Sequence, residues 1–226
     1  MSSYLAMPRA GHLEQAFRIF GYLKTHPKRK IGFGPSHPEI NENRFQKCDW
    51  EEFYRDAEEA IPENKPEPRG KSMLTHCFVD ANHAGDTETR RSQTGILLFC
   101  NKAPTMWFSK RQNSVEVSTF GSEFTAMKNA VEMIEALRYK LRMFGVLIEG
   151  STNVFCDNEA VCKNTTCPES TLTKKHHSIA YHQSREAVAA GTVRVSKEDT
   201  LTNLADIFTK TMAAPKRENL LDSFTY

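Results

Sequence analysis

An α/β domain with five strands is predicted by three features of this 226-residue chain: short strand-favouring runs, one long helix-periodic stretch, and turn residues at the junctions. Leu74–Asp80 is the first strand, where Phe78 and Val79 lead into Asp80 and the Ala-Asn-His-Ala-Gly that follows reads as a turn. Thr94–Cys100 and Thr105–Ser109 are the second and third. The interval from Asn101 to Pro104 is short enough for an antiparallel hairpin, and Gly85, Gly95 and the polar segment between them connect strands one and two in the same way. A helix runs from about Thr119 to Phe144, with Phe124, Met127, Val131, Ile134, Leu141 and Phe144 on one stripe and Gly145 as its stop. Val154–Cys156 is the fourth strand, followed by a short helix from Asn158 to about Lys163 and another from Lys174 to Ala190. Val193–Val195 is the fifth, and a last helix begins near Leu201. The order is β-β-β-α-β-α-α-β-α, and no fixed-period repeat interrupts it.

Upstream, Leu13, Ala16, Phe17, Phe20 and Leu23 recur at helical spacing, which predicts one amphipathic helix with a buried face over residues 11–24. Residues 40–72 are acidic and rich in proline, read as a linker or surface insertion; Trp50, Phe53, Tyr54 and Ala57 are spaced for one short helix that docks elsewhere. The chain therefore divides into a helical segment (1–39), an acidic insertion (40–72) and an α/β domain (73–226).

At 39% hydrophobic residues, with no apolar run near 18, the chain is expected to be soluble, with no membrane partner. Residues 1–9 lack the apolar region of a signal peptide, and six cysteines are scattered without a paired framework, which suits an intracellular, reducing compartment. The formal charge is +2, but residues 49–67 carry a net −6, leaving a basic remainder. Such a body suits either an acidic partner such as nucleic acid or an ordinary solvated surface. Cys162, Cys167, His176 and His177 do not have the spacing of a zinc finger.

Four carboxylates stand at informative places: Asp80 and Asp157 at strand ends, Glu123 one turn before Met127 on the long helix, and Asp206 in the last helix. Hard divalent cations take oxygen ligands, and a two-ion site needs several carboxylates converging on ions about 4 Å apart. Each also has a plain structural role available, as helix cap, dipole partner or turn former.

The segments FVDANHAGDTETRRSQTGILLFCNKAPTMWFSKRQNSVEVSTFGSEFTAM, NVFCDNEAV and TLTNLADIFTK, in this order, closely resemble the RNase H domain of Ty1/copia-type retrotransposon polyproteins. The upstream PRAGHLEQAFRIFGYLK is similar to the stretch just after the reverse transcriptase region of that family. The resemblance implies a ribonuclease H-like fold, with a five-stranded mixed sheet of three antiparallel strands and two parallel additions flanked by helices. It implies Mg²⁺-dependent cleavage of the RNA strand of RNA·DNA hybrids, with two ions, Mn²⁺ as substitute, and Asp80, Glu123, Asp157 and Asp206 as ligands and catalytic residues. Arg90, Arg91, Lys110, Arg111, Lys174 and Lys175 are candidates for phosphate contacts, and Asn158 for a sugar or base edge. The implied partners are the hybrid and the reverse transcriptase portion of the same polyprotein, within a cytoplasmic retrotransposon particle. Asn82, Phe120-Gly121-Ser122 and the absence of a histidine in residues 197–200 depart from the pattern of relatives or of cellular RNases H. With no Tyr-x-Asp-Asp polymerase signature, the chain is expected to be a C-terminal polyprotein fragment or truncated copy. The alternatives are a non-catalytic relic that binds nucleic acid or polymerase, and an integrase-like nuclease of the same fold.

Overall fold

A computed structural model describes residues 7–172 and 175–226. It divides into two compact units, Met1–Ile31 with Thr225–Tyr226, and Gly32–Phe224. In the first, α1 (Ala10–Thr25) ends where His26 donates its backbone N–H to the Tyr22 carbonyl at 2.9 Å and stacks on the Tyr22 ring, 4.4 Å between centroids. The face predicted to be buried is not: Leu13, Phe17, Phe20 and Leu23 are all exposed. Periodicity says which residues share a face, and cannot say whether anything covers it.

The second unit holds the five-stranded mixed sheet implied by the resemblance, in the order β3-β2-β1-β4-β5. β1 (Thr75–Asn82), β2 (Gln93–Cys100) and β3 (Ala103–Arg111) are an antiparallel meander, while β4 (Thr152–Cys156) lies parallel to β1 and β5 (Val193–Lys197) parallel to β4. Side chains alternate across the pleat. Cys77, Val79, Ile96, Leu98, Val154 and Cys156 therefore share a core with Phe124, Met127, Val131 and Ile134 of α3 (Thr119–Met143). On the opposite face Leu97 and Phe99 pack with Leu204, Leu220 and Phe224. Ser118 caps α3 by accepting the Gly121 N–H at 3.2 Å, and Gly145, at φ +71°, ends it.

Two departures from the predicted elements matter for the site. α5 (Ser178–Ala189) follows a 3₁₀ turn at Lys175–His177 rather than starting at Lys174. The last helix does not begin near Leu201. Asp199 accepts the Leu201 N–H on its side chain at 2.7 Å and the Thr202 and Asn203 N–H groups on its carbonyl, forming a turn that competes with helix. Helix proper is confined to α6 (Asp206–Thr209), and α7 (Ala214–Leu221) follows it.

Gly95 pairs with Asp80 across the β1–β2 ladder. A Cβ there would come within 2.6 Å of Thr209 Cγ2 and 2.8 Å of the Ala205 carbonyl oxygen, so the absent side chain is what lets α6 lie against the strand. Three hydrogen bonds hold it there: Asn82 Nδ2 to Thr209 O (3.1 Å), Ser109 Oγ to Phe208 O (2.7 Å) and Asn203 Nδ2 to Val79 O (3.0 Å).

The acidic segment docks on this unit. Residues 51–54 form α2 (Glu51–Tyr54), and the fully buried Arg185 stacks its guanidinium on the rings of Trp50 (4.8 Å), Tyr54 and Tyr181 while donating to the carbonyls of Asn164, Cys167 and Pro168. Glu59 is gripped by Arg138 (Nε–Oε1 2.6 Å) and Arg142 (Nη2–Oε2 2.6 Å) from α3. Burial alone would raise the Glu59 carboxyl, but the hydrogen bonds from Arg138 and Arg142 outweigh it and hold the pKa down at about 2.

Gly95→Ala is expected to destabilise the chain by about 1–3 kcal/mol, because backbone of α6 must retreat; urea unfolding measures it, and an unchanged midpoint would contradict the close approach. Glu59 should contribute stability fully above its ordinary pKa of 4.5 and lose it as pH falls toward 2. Glu59→Gln should therefore cost roughly 3–5 kcal/mol near neutral pH by removing the anion that pairs with buried Arg138, with the gap to wild type closing in acid melts.

Candidate metal centre

The four predicted carboxylates converge. Asp80 comes from the end of β1, Asp157 from the residue after β4, Glu123 from the second turn of α3 and Asp206 from the start of α6. Because β1 and β4 are neighbours in parallel, their C-terminal ends lie side by side. Asp80, Asp157 and Asp206 each offer a carboxylate oxygen, all within 4.8 Å of one another, and Glu123, Cys156 and Asp157 form a second such group. Asp80 and Asp206 are fully buried, Glu123 nearly so. Glu123 and Asp157 line an open cleft of about 470 Å³ together with Asn82, His83, Thr119, Asn158 and Lys210.

Burial, then repulsion from Asp80 and Asp157, pushes the Glu123 carboxyl up to about 9. Burial and Asp80 also raise Asp157, against the opposing pull of Lys210. The cost is met by lysines: Lys210 Nζ reaches Asp80 Oδ1 at 3.0 Å and Asp206 Oδ1 at 2.7 Å, and Lys216 Nζ reaches Asp206 Oδ2 at 2.8 Å. Burial works against the Lys210 charge, but its bonds to Asp206 and Asp80 win and raise its pKa. Thr209 Oγ1 donates to Asp80 Oδ2. Glu123 Oε2 is buried and meets no hydrogen-bonding partner among the described residues. Three clustered aspartates and an orphaned glutamate oxygen are a donor set that fits a hard divalent cation.

Lys210, Lys216 and Thr209 escaped the sequence reading. Lys210 had a signal, standing one helical turn after Asp206 in LADIFTK, but Lys216 sits ten residues away on α7, with no pattern to find it. The predicted basic residues are less uniform. Arg90, at φ +56°, and Lys110 are exposed, Arg91 is half-buried, and Arg111 is paired with Asp86. Lys110 and Arg111 line a groove between β3 and α3 together with Gln112, whose amide donates to Thr94 Oγ1 (3.0 Å) and Ser122 O (2.9 Å) and so ties the hairpin to the helix carrying Glu123. Asn158 Oδ1 accepts the Ala160 and Val161 N–H groups and caps α4 (Glu159–Thr166), a structural use, while the residue also lines the cleft. Lys175 is exposed, and Lys174 lies outside the described residues.

No protein-family model matches the chain. It is 25% identical over 219 residues, 97% of its length, to the retrovirus-related Pol polyprotein from transposon RE1 of Arabidopsis thaliana, of which it covers 13%. It is 33% identical over 150 residues, 66% of its length, to the corresponding polyprotein from transposon TNT 1-94 of Nicotiana tabacum, covering 11% of it. The chain thus spans only about a tenth of the length of these curated relatives. Among solved structures, it is similar to LC11-RNase H1 in complex with RNA/DNA hybrid, with a TM-score of 0.48 and 12% identity, over 60% of this chain and 93% of that one.

The native Glu123 holds a proton that the unfolded chain releases above its ordinary pKa of 4.5, so in metal-free buffer stability should fall as pH rises from there through about 9. Glu123→Gln should remove that slope and leave the variant more stable than its parent at pH 9 by about 1–3 kcal/mol. Thermal melts in chelator across that range check it, and parallel curves for the two chains would contradict a carboxyl raised by its burial.

Proposed function

For a chain homologous to a segment of the retrovirus-related Pol polyproteins of transposons, we propose an endoribonuclease that cuts the RNA strand of RNA·DNA hybrids, dependent on Mg²⁺ or Mn²⁺. The observation that carries the reading is the convergence of Asp80, Glu123, Asp157 and Asp206 beside an open cleft that Glu123 and Asp157 line, with a buried glutamate oxygen that meets no partner among the described residues. These four would hold the ions, which when bound supply activation of the attacking water and relief of charge on the leaving 3′ oxygen.

The chain's own residues do the rest. Fully buried Asp80, held by Thr209 from one side, is fixed in direction before any ligand arrives. Burial of Asp80 and Asp206 keeps bulk water from competing for their inner oxygens. The open cleft leaves a phosphodiester backbone free to enter along its rim, which Asn82 and Asn158 line. Arg90, Arg91, Lys110, Arg111 and Lys175 would receive flanking phosphates, and Lys174 is proposed with them on its sequence position alone. Contacts of this kind position a hybrid without reading its bases. The reverse transcriptase portion of the same polyprotein would be the natural partner, in an intracellular particle. No helix among the described residues is long and apolar enough to cross a membrane.

The test is cleavage of an end-labelled RNA·DNA hybrid by the purified chain in Mg²⁺ and in Mn²⁺. Asp80→Asn should lower the rate by roughly a hundredfold or more, and chelator should abolish it. Cutting that survives chelator, or a folded chain that binds the hybrid and leaves it whole with either ion, would sink the proposal.

A further inference from the structure

We propose that Lys210 is a built-in counter-cation that competes with divalent ions for Asp80 and Asp206, and so sets the ion concentration at which the centre loads. The inference rests on the metal-centre reading above and concerns how that centre fills. Its basis is which oxygens are already taken. Lys210 Nζ bridges Asp80 Oδ1 and Asp206 Oδ1, one oxygen of each buried carboxylate, at 3.0 and 2.7 Å. The remaining oxygens are engaged by Thr209 on Asp80 and by Lys216 on Asp206. A divalent ion that takes Asp80 and Asp206 together therefore meets at least one lysine already on the oxygens it needs. Among the described residues, only Lys210 contacts both carboxylates at once.

The two cations exclude one another. An ammonium left in contact with Asp80 and Asp206 would stand a few ångströms from the incoming ion, and like charges at that range repel strongly where water is scarce. The displaced group has somewhere to go. Lys210 is 34% exposed in its side chain, lies at the C-terminal end of α6 on extended backbone, and already lines the cleft with Asn82, Glu123, Asp157 and Asn158. Its flexible four-carbon stem lets the ammonium swing from carboxylates toward a phosphate entering the same cleft. The lysine thus neutralises the carboxylates while the site is empty and hands them over when an ion binds.

Uptake of Mn²⁺ by the full chain, without nucleic acid, followed through the electron paramagnetic resonance signal of free Mn²⁺, tests this independently of cleavage. Lys210→Met should lower the half-saturating Mn²⁺ concentration by about tenfold, while melting at a lower temperature than wild type in chelator, because two buried carboxylates lose a partner. Lys210→Gln, which keeps a hydrogen bond without the charge, should shift half-saturation in the same direction and guards against a Met variant that fails to fold. Lys210→Arg, which keeps the charge, should load no more easily than wild type. Unchanged or weaker uptake by the folded Met and Gln variants overturns the competition and leaves the metal centre standing. No saturable uptake by any of the chains overturns both.

Discussion

Mutual repulsion among buried carboxylates is the constraint around which the rest of the second unit is arranged. Asp80 and Asp206 are removed from water and brought within contact of each other and of Asp157, an arrangement that opposes folding unless positive charge is supplied. Lys210 and Lys216 supply it from the segments following and including α6 and α7, and Glu123 meets the same repulsion by holding its proton. The cluster is therefore poised. The lysines and the retained proton each offset charge that the carboxylates would otherwise bring together.

Holding the cluster together takes close approach of backbone to backbone. Gly95 lets α6 settle on β2 directly across from Asp80, and Asn82, Ser109 and Asn203 spend their side chains on main-chain carbonyls and amides to keep it there. Gln112 does the equivalent on the other side of the sheet, joining the β3 hairpin to the start of α3. Several polar residues of the family-like segments thus serve the geometry of the carboxylates rather than a substrate. A short α6 has little packing of its own, and these bonds take the place of a longer helix.

The uneven charge of the chain has a structural explanation in part. The acidic stretch around residues 49–67 lies against positive groups of the sheet domain, with Glu59 on Arg138 and Arg142 and the aromatic residues Trp50 and Tyr54 on Arg185. These arginines are spent inside the unit and add nothing to a nucleic-acid surface. Arg90 on the β1–β2 turn, Lys110 on β3 and Lys175 stay exposed and free of such a duty. Overall net charge is therefore a weak guide to the binding face.

The five strands, the long α3 and the four carboxylates were legible in the chain as written, because strand and helix periods and turn residues are local properties, and because the ordered segments from FVDANHAGD to LADIFTK have a recognisable resemblance. Three things were decided only by tertiary structure. Whether the apolar stripe of α1 is covered depends on neighbours that periodicity does not contain, and it is exposed. Where the last helix starts depended on Asp199 capturing local amides, a competition that a helix-like pattern conceals. Most of all, which cations face the carboxylates depended on how the chain returns to β1 after β5: Lys216 is 136 positions from Asp80 in sequence and shares its cluster through Asp206 only because α6 and α7 fold back across the sheet. Sequence carries the chemistry of each side chain, whereas charge compensation in a buried site is a property of distances, and distances exist only once the chain has folded.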